Sequence, residues 1–179
     1  LEKVYEKILG QAESLEQPVK QKYTDAIDFA VNFDLGKNYT AEEKKMYNKY
    51  DELYYSKWRN ILGGKLETVI CGGAKMEKDL FHLFWAVKIP VLQGYGLTET
   101  SGVIAVDSFD IPIRLNKCGK KLNHLEVKLG DNNEILARGK NIMKGYYKHP
   151  ELTAETIDED GWLHTGDVGM IDEDGYVEV

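Results

Sequence analysis

The stretch VLQGYGLTETSG, Val91 to Gly102, joins the end of an apolar run to three glycines, two threonines and a single glutamate. A second glycine segment, CGGA at 71–74, follows another β-branched run, and an amphipathic stretch lies between the two. A strand, a helix and a strand within about thirty residues are typical of a βαβ unit, whose strands run parallel. Ligands of such sheets bind at the carboxyl ends of the strands, so we expect both glycine segments to border one binding site.

Sequence character divides the chain into three predicted parts. Residues 1–65 are highly charged and have helical spacing, with a capping-box pattern, TAEE, at Thr40–Glu43. Residues 66–115 hold the predicted βαβ portion, in which the two glycine segments are expected to form loops. Residues 116–179 contain short apolar runs separated by Gly, Asp and Asn, including a hairpin pattern in LEVKLGDNNEILARG. The predicted fold class is therefore α/β, with a helical segment packed on the sheet and a small antiparallel β-sheet or barrel after it.

Three segments give more specific predictions. Met46, Tyr50 and Leu53 fall on one helical stripe, which is more typical of a packing face than of a ligand platform. The segment MEKDLFHLFWAVK has the apolar periodicity of an amphipathic helix. The segment IMKGYY, at 142–147, is interpreted as a continuation of the β pattern.

Composition limits the classes of function. The chain has 179 residues, 42% of them hydrophobic, and a formal net charge of −7, which disfavours nucleic acid as a partner. The two cysteines have no metal-type spacing, which favours a reducing, cytoplasmic setting. No apolar run is long enough to span a bilayer, although peripheral contact with the inner membrane face is left open. Both termini resemble interrupted elements, so we expect a piece of a longer protein.

The residues of QGYGLTE suit a nucleotide. Gly94 and Gly96 would allow positive φ angles and close backbone approach, and Tyr95 could stack on a base. Thr98 could donate to a phosphate, and Glu99 is an oxygen ligand suited to Mg²⁺. The alternative is a tight turn in which Thr98 caps a following helix, and the residues alone favour neither. The pattern lacks the third glycine of the dinucleotide fingerprint.

Asp167, in HTGD, is the second candidate. A carboxylate held on a rigid turn can accept hydrogen bonds from both ribose hydroxyls, although an Asp beside Gly more often only forms its own turn. His164 is interpreted as structural, and Lys140 and Lys144 suit phosphate or plain surface charge equally. The two DEDG segments, which begin at Asp158 and at residue 172, fail the spacing of a calcium loop.

Four segments in order resemble those of the AMP-forming, adenylate-forming enzymes, and specifically of the long-chain acyl-CoA synthetases. They are GGAKM (72–76), QGYGLTETSG (93–102), ILARGKNIMKGYYKHPELT (135–153) and GWLHTGDVGMIDEDGYVEV (161–179). The resemblance implies a fragment of the large N-terminal domain of such an enzyme, without its phosphate loop, hinge and C-terminal domain. Such a fragment is expected to be inactive alone and to need the remaining N- and C-terminal parts of the polypeptide.

The resemblance also implies roles for the residues. Adenine would lie between Gly73–Ala74 and Tyr95, within a nucleotide site that also includes Gln93, Gly94, Gly96, Thr98 and Asp167. Thr98 would contact the α-phosphate, Glu99 would ligate Mg²⁺, and Asp167 would hold the ribose hydroxyls. Gly73 and Gly94 would border the acyl pocket, and Thr98 and Glu99 would be the catalytic pair.

The implied reaction has two steps and uses ATP, Mg²⁺ and coenzyme A. A fatty carboxylate reacts with ATP to give acyl-AMP and pyrophosphate, and CoA then displaces AMP to form the thioester. Two alternatives stay open: an adenylating enzyme for another acid, such as an aryl acid or an amino acid, and a non-catalytic nucleotide-binding or interaction module. Acyl chain length is not determined by these residues.

Overall fold

A computed structural model of the chain describes residues 1–74 and 76–179, and these form two compact units. The first unit contains residues 1–69 and 76–91, and the second contains residues 70–74 and 92–179. The predicted three-part division of the chain stays a prediction. The helices are α1 Glu2–Glu13, α2 Val19–Val31, α3 Ala41–Tyr50, α4 Ser56–Ile61, α5 Lys78–Ala86 and α6 Pro150–Thr156. The strands are β1 Val69–Gly72, β2 Val91–Leu97, β3 Gly102–Val106, β4 Lys120–Lys121, β5 Leu125–Leu129, β6 Glu134–Gly139, β7 Leu163–Val168, β8 Met170–Ile171 and β9 Val177–Glu178.

The first unit is helical, and its capping box is confirmed. The Glu43 backbone N–H donates to the Thr40 hydroxyl at 3.2 Å, and the Thr40 N–H donates to Glu43 Oε2 at 2.8 Å. These bonds satisfy two of the four N–H groups that the start of α3 leaves open. Lys37 donates to the same carboxylate, and mainly for this reason the pKa of Glu43 is lowered to about 2.

The predicted stripe through Met46, Tyr50 and Leu53 is wrong in part. Met46 is 40% exposed and Leu53 38% exposed, whereas Tyr55 and Trp58 are buried. A π-helical turn at Asp51–Tyr55, between α3 and α4, changes the helical register of the positions after Met46 and Tyr50. A π turn inserts one extra residue, which rotates all later positions by about 100° around the helix axis.

Helix α5 is confirmed as an amphipathic helix of the first unit. Leu80, Phe84 and Val87 are almost completely buried. Within the same unit, the Tyr47 hydroxyl donates to the Ala86 carbonyl at 2.7 Å, close to the end of α5. Burial of the Tyr47 phenol is the main reason that its pKa is raised to about 12.

The second unit contains a four-stranded sheet in the order β1-β2-β3-β4. We predicted a loop for the glycine stretch 93–97, and this prediction is wrong. Strand β2 continues to Leu97 and pairs antiparallel with β3. Gly94 and Gly96 also lack the positive φ angles that we expected. Their place in β2 is explained by space, since a Cβ on Gly96 would lie 2.1 Å from the Gly102 carbonyl oxygen. Glycine here permits close contact between two strands.

The β-rich region after residue 116 is confirmed in outline. The hairpin β5–β6 has the expected antiparallel register, with Val127 opposite Ala137, and β7 adds a third strand. Strands β8 and β9 form a separate pair. The prediction for 142–147 is wrong, because no strand forms there and the chain proceeds to α6 instead. Pro150 begins α6, where the missing N–H of proline costs no hydrogen bond.

Candidate functional site

A cavity of about 330 Å³ opens in the second unit beside β2. It is lined by Cys71, Gly73, Ala74, Gln93, Gly94, Tyr95, Gly96, Leu97, Asn116, Cys118, Asp167 and Val179. The two glycine segments, which lie about twenty residues apart in sequence, therefore border one space as expected, although the second lies within β2 rather than beyond its end. All residues predicted for the nucleotide site line this cavity except Thr98. Thr98 directly follows Leu97, the last residue of β2, which does line the cavity.

The first glycine segment leaves β1 in a conformation that suits glycine. Gly73 has a φ of +83°, in the left-handed region that side chains with a Cβ rarely adopt. A Cβ on Gly72 would lie 2.8 Å from the Gly94 carbonyl oxygen, so β1 and β2 approach closely at the edge of the cavity. Lys75, which belongs to the predicted GGAKM segment, lies outside the described residues.

Tyr95 and Asp167 form the polar centre of the cavity. The Tyr95 hydroxyl donates to Asp167 Oδ2 at 2.8 Å, and the tyrosine is only 7% exposed. Burial raises the pKa of the phenol, so it remains protonated and keeps its role as donor. The second oxygen of Asp167, Oδ1, makes no hydrogen bond to the described part of the chain. One carboxylate oxygen is therefore fixed by the protein and the other is available to a ligand.

Strand β7, rather than a turn as we predicted, carries Asp167. Within it, the Asp167 N–H donates to the Thr165 hydroxyl at 3.1 Å, and that hydroxyl donates to the Ile135 carbonyl at 2.8 Å. Gly166 has a φ of +73°, and the β6–β7 register shifts nearby. Such a bulge re-aims a side chain at the edge of a sheet, which explains why Asp167 reaches the cavity.

The turn after β2 presents Thr98 and Glu99. A short 3₁₀ segment, Thr98–Thr100, is closed by the Thr100 hydroxyl, which accepts from the Leu97 N–H at 2.9 Å. Thr98 is exposed and Glu99 half-buried, and neither lines the cavity. The Tyr146 hydroxyl donates to Glu99 Oε1 at 2.8 Å. We did not predict this contact, because 47 residues separate the partners and IMKGYY was interpreted as a strand.

Asn116 and Cys118 also line the cavity without having been predicted. Asn116 has a φ of +66°, a conformation that asparagine tolerates better than most residues. The Cys118 N–H donates to the Val177 carbonyl at 2.7 Å, which brings this loop against β9. The sequence does favour a turn at Asn116, because asparagine is common in turns. No sequence feature connects that turn with β2, beside which the cavity lies.

Glu99 is the candidate ligand for Mg²⁺ at this site. Among residues 1–74 and 76–179, no group of three or more His, Cys, Asp or Glu side chains is arranged to hold a metal ion. Glu99 keeps one carboxylate oxygen, Oε2, without a hydrogen bond to these residues. Mg²⁺ in nucleotide sites typically takes one or two carboxylates, with phosphate and water oxygens as its other ligands. Glu99 therefore fits a magnesium ion that arrives with a nucleotide.

His164 has the structural contacts that we expected. Its Nδ1 lies 2.9 Å from Glu134 Oε2, and its Nε2 lies 3.6 Å from Asp158 Oδ2. Hydrogen bonds from the His164 ring and from the Gly166 N–H lower the pKa of Glu134 despite its partial burial, which acts in the opposite direction. The histidine thus links the sheet strands and is not part of the cavity lining.

Comparisons with known proteins agree with this geometry. The model of the family described as AMP-binding enzyme matches residues 11–147. The chain is 45% identical over 132 residues to a protein named as fatty-acid–CoA ligase fadD11 of Mycobacterium tuberculosis, covering 73% of this chain and 23% of that protein. It is 35% identical over 130 residues to the long-chain-fatty-acid–CoA ligase FadD15 of Mycobacterium bovis, covering 73% of this chain and 21% of the ligase. Over 136 residues it is 35% identical to a feruloyl-CoA synthase of Amycolatopsis, covering 70% and 28%.

Solved structures give the same class. The N-terminal domain of FACL13 from Mycobacterium tuberculosis matches with a TM-score of 0.57 and 28% identity, covering 69% of this chain and 36% of that one. A malonyl-CoA ligase, solved with methylmalonyl-CoA and AMP, matches with a TM-score of 0.59 and 28% identity, covering 74% and 31%. The fold is that of part of the N-terminal domain of an adenylate-forming ligase.

The chain belongs to the AMP-binding enzyme family. It spans only about a fifth to a quarter of the length of the first curated relatives that it matches. In the described part of the chain, no helix has the length and apolar character needed to cross a bilayer.

Proposed function

We propose that this chain forms the adenylate-binding part of a long-chain fatty acid–CoA ligase. The observation that carries the proposal is the cavity in which Gly73–Ala74 and residues 93–96 face Asp167, whose carboxylate is fixed on one side by Tyr95. Family membership supports the binding of an adenylate, and the relatives named as fatty-acid ligases support a fatty acid as the substrate.

The nucleotide would be held by complementary polar groups. Asp167 Oδ1 is open to accept hydrogen bonds from the ribose hydroxyls, and the Tyr95 phenol keeps the carboxylate from rotating. Gly73, Ala74, Gly94 and Gly96 offer backbone groups and a surface without bulky side chains, which suits a flat adenine ring beside Tyr95, and Gln93 lines the same cavity. Gly73 and Gly94 would also border the acyl group, since the adenylate carries acid and nucleotide on one phosphate.

The adenylation step needs positioning and charge neutralisation more than an acid or a base. A carboxylate oxygen of the fatty acid attacks the α-phosphorus of ATP, and the bond from that phosphorus to the oxygen of the leaving pyrophosphate breaks. Thr98, exposed directly after the cavity, would donate to an α-phosphate oxygen. Magnesium, held by Glu99 and the phosphates, would neutralise the charge that develops there. In the second step the CoA thiolate attacks the acyl carbonyl carbon, and AMP leaves.

A second candidate differs only in the acid. The 35% identity to a feruloyl-CoA synthase is equal to that to FadD15, so an aryl acid is also consistent with the family match. The polar groups described above bind the nucleotide rather than the acid, and for this reason they do not distinguish the two candidates. We also propose that the protein acts in the cytoplasm, where ATP and CoA are available.

Pyrophosphate exchange separates these possibilities. In the longer protein that carries this chain, we expect radiolabelled pyrophosphate to enter ATP only when a long-chain fatty acid such as palmitate is present. Stimulation by ferulate alone would support the second candidate. No stimulation by any carboxylic acid would contradict the ligase proposal.

A binding measurement addresses the nucleotide site separately. We expect the chain of 179 residues to bind AMP weakly or undetectably in calorimetry, and the longer protein to bind it more tightly. In the longer protein, Asp167→Asn should weaken AMP binding. Asp131→Asn, at an exposed turn outside the cavity, should leave AMP binding unchanged. Equal loss in both variants would show that Asp167 does not contact the ribose.

A further inference from the structure

Three hydrogen bonds attach the segment after β6 to the turn that carries Glu99. The Asn141 side-chain amide donates to the Thr100 carbonyl at 2.8 Å, and the Met143 N–H donates to the Glu99 carbonyl at 2.7 Å. The Tyr146 hydroxyl donates to Glu99 Oε1 at 2.8 Å. Two of these bonds hold the backbone of the turn, and only the third reaches a side-chain atom that can meet a ligand.

We infer that Tyr146 is a positioning residue that orients the Glu99 carboxylate for a metal–nucleotide complex. The inference rests on the proposed function, because a magnesium ion arrives at this turn only with a bound nucleotide. The phenol occupies one lone pair of Oε1 and thereby limits rotation of the carboxylate, while Oε2 stays open. Partners that fix a metal-binding carboxylate in this way are typically important for metal affinity.

The local environment supports a lasting contact. A second bond, from the Tyr146 N–H to the Thr153 hydroxyl at 2.9 Å, ties the residue to α6. The backbone of Tyr146 is therefore anchored independently of Glu99, and its side chain can act as a fixed reference for the carboxylate.

The neighbouring Tyr147 provides a matched control. It is 84% exposed and makes no hydrogen bond to the described residues through its hydroxyl. Tyr146→Phe and Tyr147→Phe each remove one phenolic oxygen from adjacent positions and keep the ring. A difference between them therefore reports the contact with Glu99 rather than the general loss of a hydroxyl.

The test uses the longer protein and two readouts. Binding of Mn²⁺ in the presence of ATP and the absence of any acid, measured by electron paramagnetic resonance, reports metal affinity without turnover. The Mg²⁺ concentration for half-maximal pyrophosphate exchange reports it during the reaction. We expect Tyr146→Phe to lower the Mn²⁺ affinity roughly 10-fold and to raise the half-maximal Mg²⁺ concentration by a similar factor. Tyr147→Phe should leave both quantities unchanged. In a Glu99→Gln background, Tyr146→Phe should have no further effect, because the group on which it acts has lost its charge.

The outcomes separate this inference from the proposed function. If no acid stimulates pyrophosphate exchange in the unaltered protein, the proposed ligase function is contradicted. The Mn²⁺ measurement with ATP still tests the role of Tyr146 in that case. If the unaltered protein is active and Tyr146→Phe matches Tyr147→Phe in both readouts, the positioning role is wrong. A loss of activity with unchanged metal dependence would show that Tyr146 only supports the fold, and would also overturn the inference.

Discussion

The Asp107 carboxyl group, directly after β3, should make stability depend on pH in an unusual direction. Asp107 is 3% exposed, its Oδ2 accepts from the Gln93 N–H at 2.9 Å, and its Oδ1 is buried without a hydrogen-bond partner among the described residues. Burial raises the pKa of this carboxyl from 3.8 to about 6, although the Gln93 N–H acts in the opposite direction. Between these two values the folded state binds a proton that the unfolded state has released. Stability therefore falls as pH rises from about 4 to about 6 and then becomes constant.

The size of this effect follows from the shift. A difference of about 2 pKa units corresponds to about 3 kcal/mol, which is an upper limit because local relaxation and water entry reduce it. Asp107→Asn removes the titration, so the variant should gain about 2 kcal/mol relative to the unaltered chain between pH 4 and pH 7. Urea unfolding at several pH values, with exposed Asp110→Asn as control, measures this difference. A difference between Asp107→Asn and the unaltered chain that stays constant over this range would refute the reasoning.

Two further predictions concern β2. Gly96→Ala places a Cβ 2.1 Å from the Gly102 carbonyl oxygen, so the backbones of β2 and β3 must separate, and we expect a loss of about 3 kcal/mol or more in urea unfolding. Gly10→Ala, in α1 with no atom near the new Cβ, should instead stabilise by up to about 1 kcal/mol, and similar results for both variants would contradict the packing argument. Tyr95→Phe removes the bond to Asp167 and should weaken AMP binding to the longer protein about 10-fold, as calorimetry can measure. Unchanged affinity would mean that Asp167 needs no orienting donor.

The parts of the fold that sequence predicted correctly depend on local signals. The capping box at Thr40 and the hairpin β5–β6 are defined by residues within a few positions of one another, and both are present. The glycines of β2 were misinterpreted because glycine occurs both in turns and where backbones approach closely. Only the position of β3 decides between these, and it is a long-range feature. The π turn at Asp51–Tyr55 was not predicted, because no rule of composition indicates one extra residue in a helix.

The site was predictable to the extent that strand ends and family segments define it. The rule for parallel strands brought Gly73 and Gly94 together, and the resemblance added Asp167, which the residues alone could not separate from an ordinary turn. Tyr146 was missed because a tyrosine in a polar, charged segment has no feature that connects it to a glutamate 47 positions earlier. Contacts of this kind depend on how a loop returns to the sheet, and sequence spacing does not encode that path.

The two side chains of QGYGLTE for which we propose distinct roles, Tyr95 and Glu99, both contact later segments of the same unit. Tyr95 contacts Asp167 on β7, and Glu99 contacts Tyr146 beyond β6. In the proposed site, Tyr95 on β2 orients the Asp167 carboxylate of β7, and Tyr146 of the β-rich region orients Glu99 in the turn after β2. Because orientation determines how well a carboxylate or a phenol meets its ligand, the strand alone would keep the residue types of the site without its geometry. The proposed site thus requires separate stretches of the chain to fold together, which is why no single segment of this sequence was sufficient to define it.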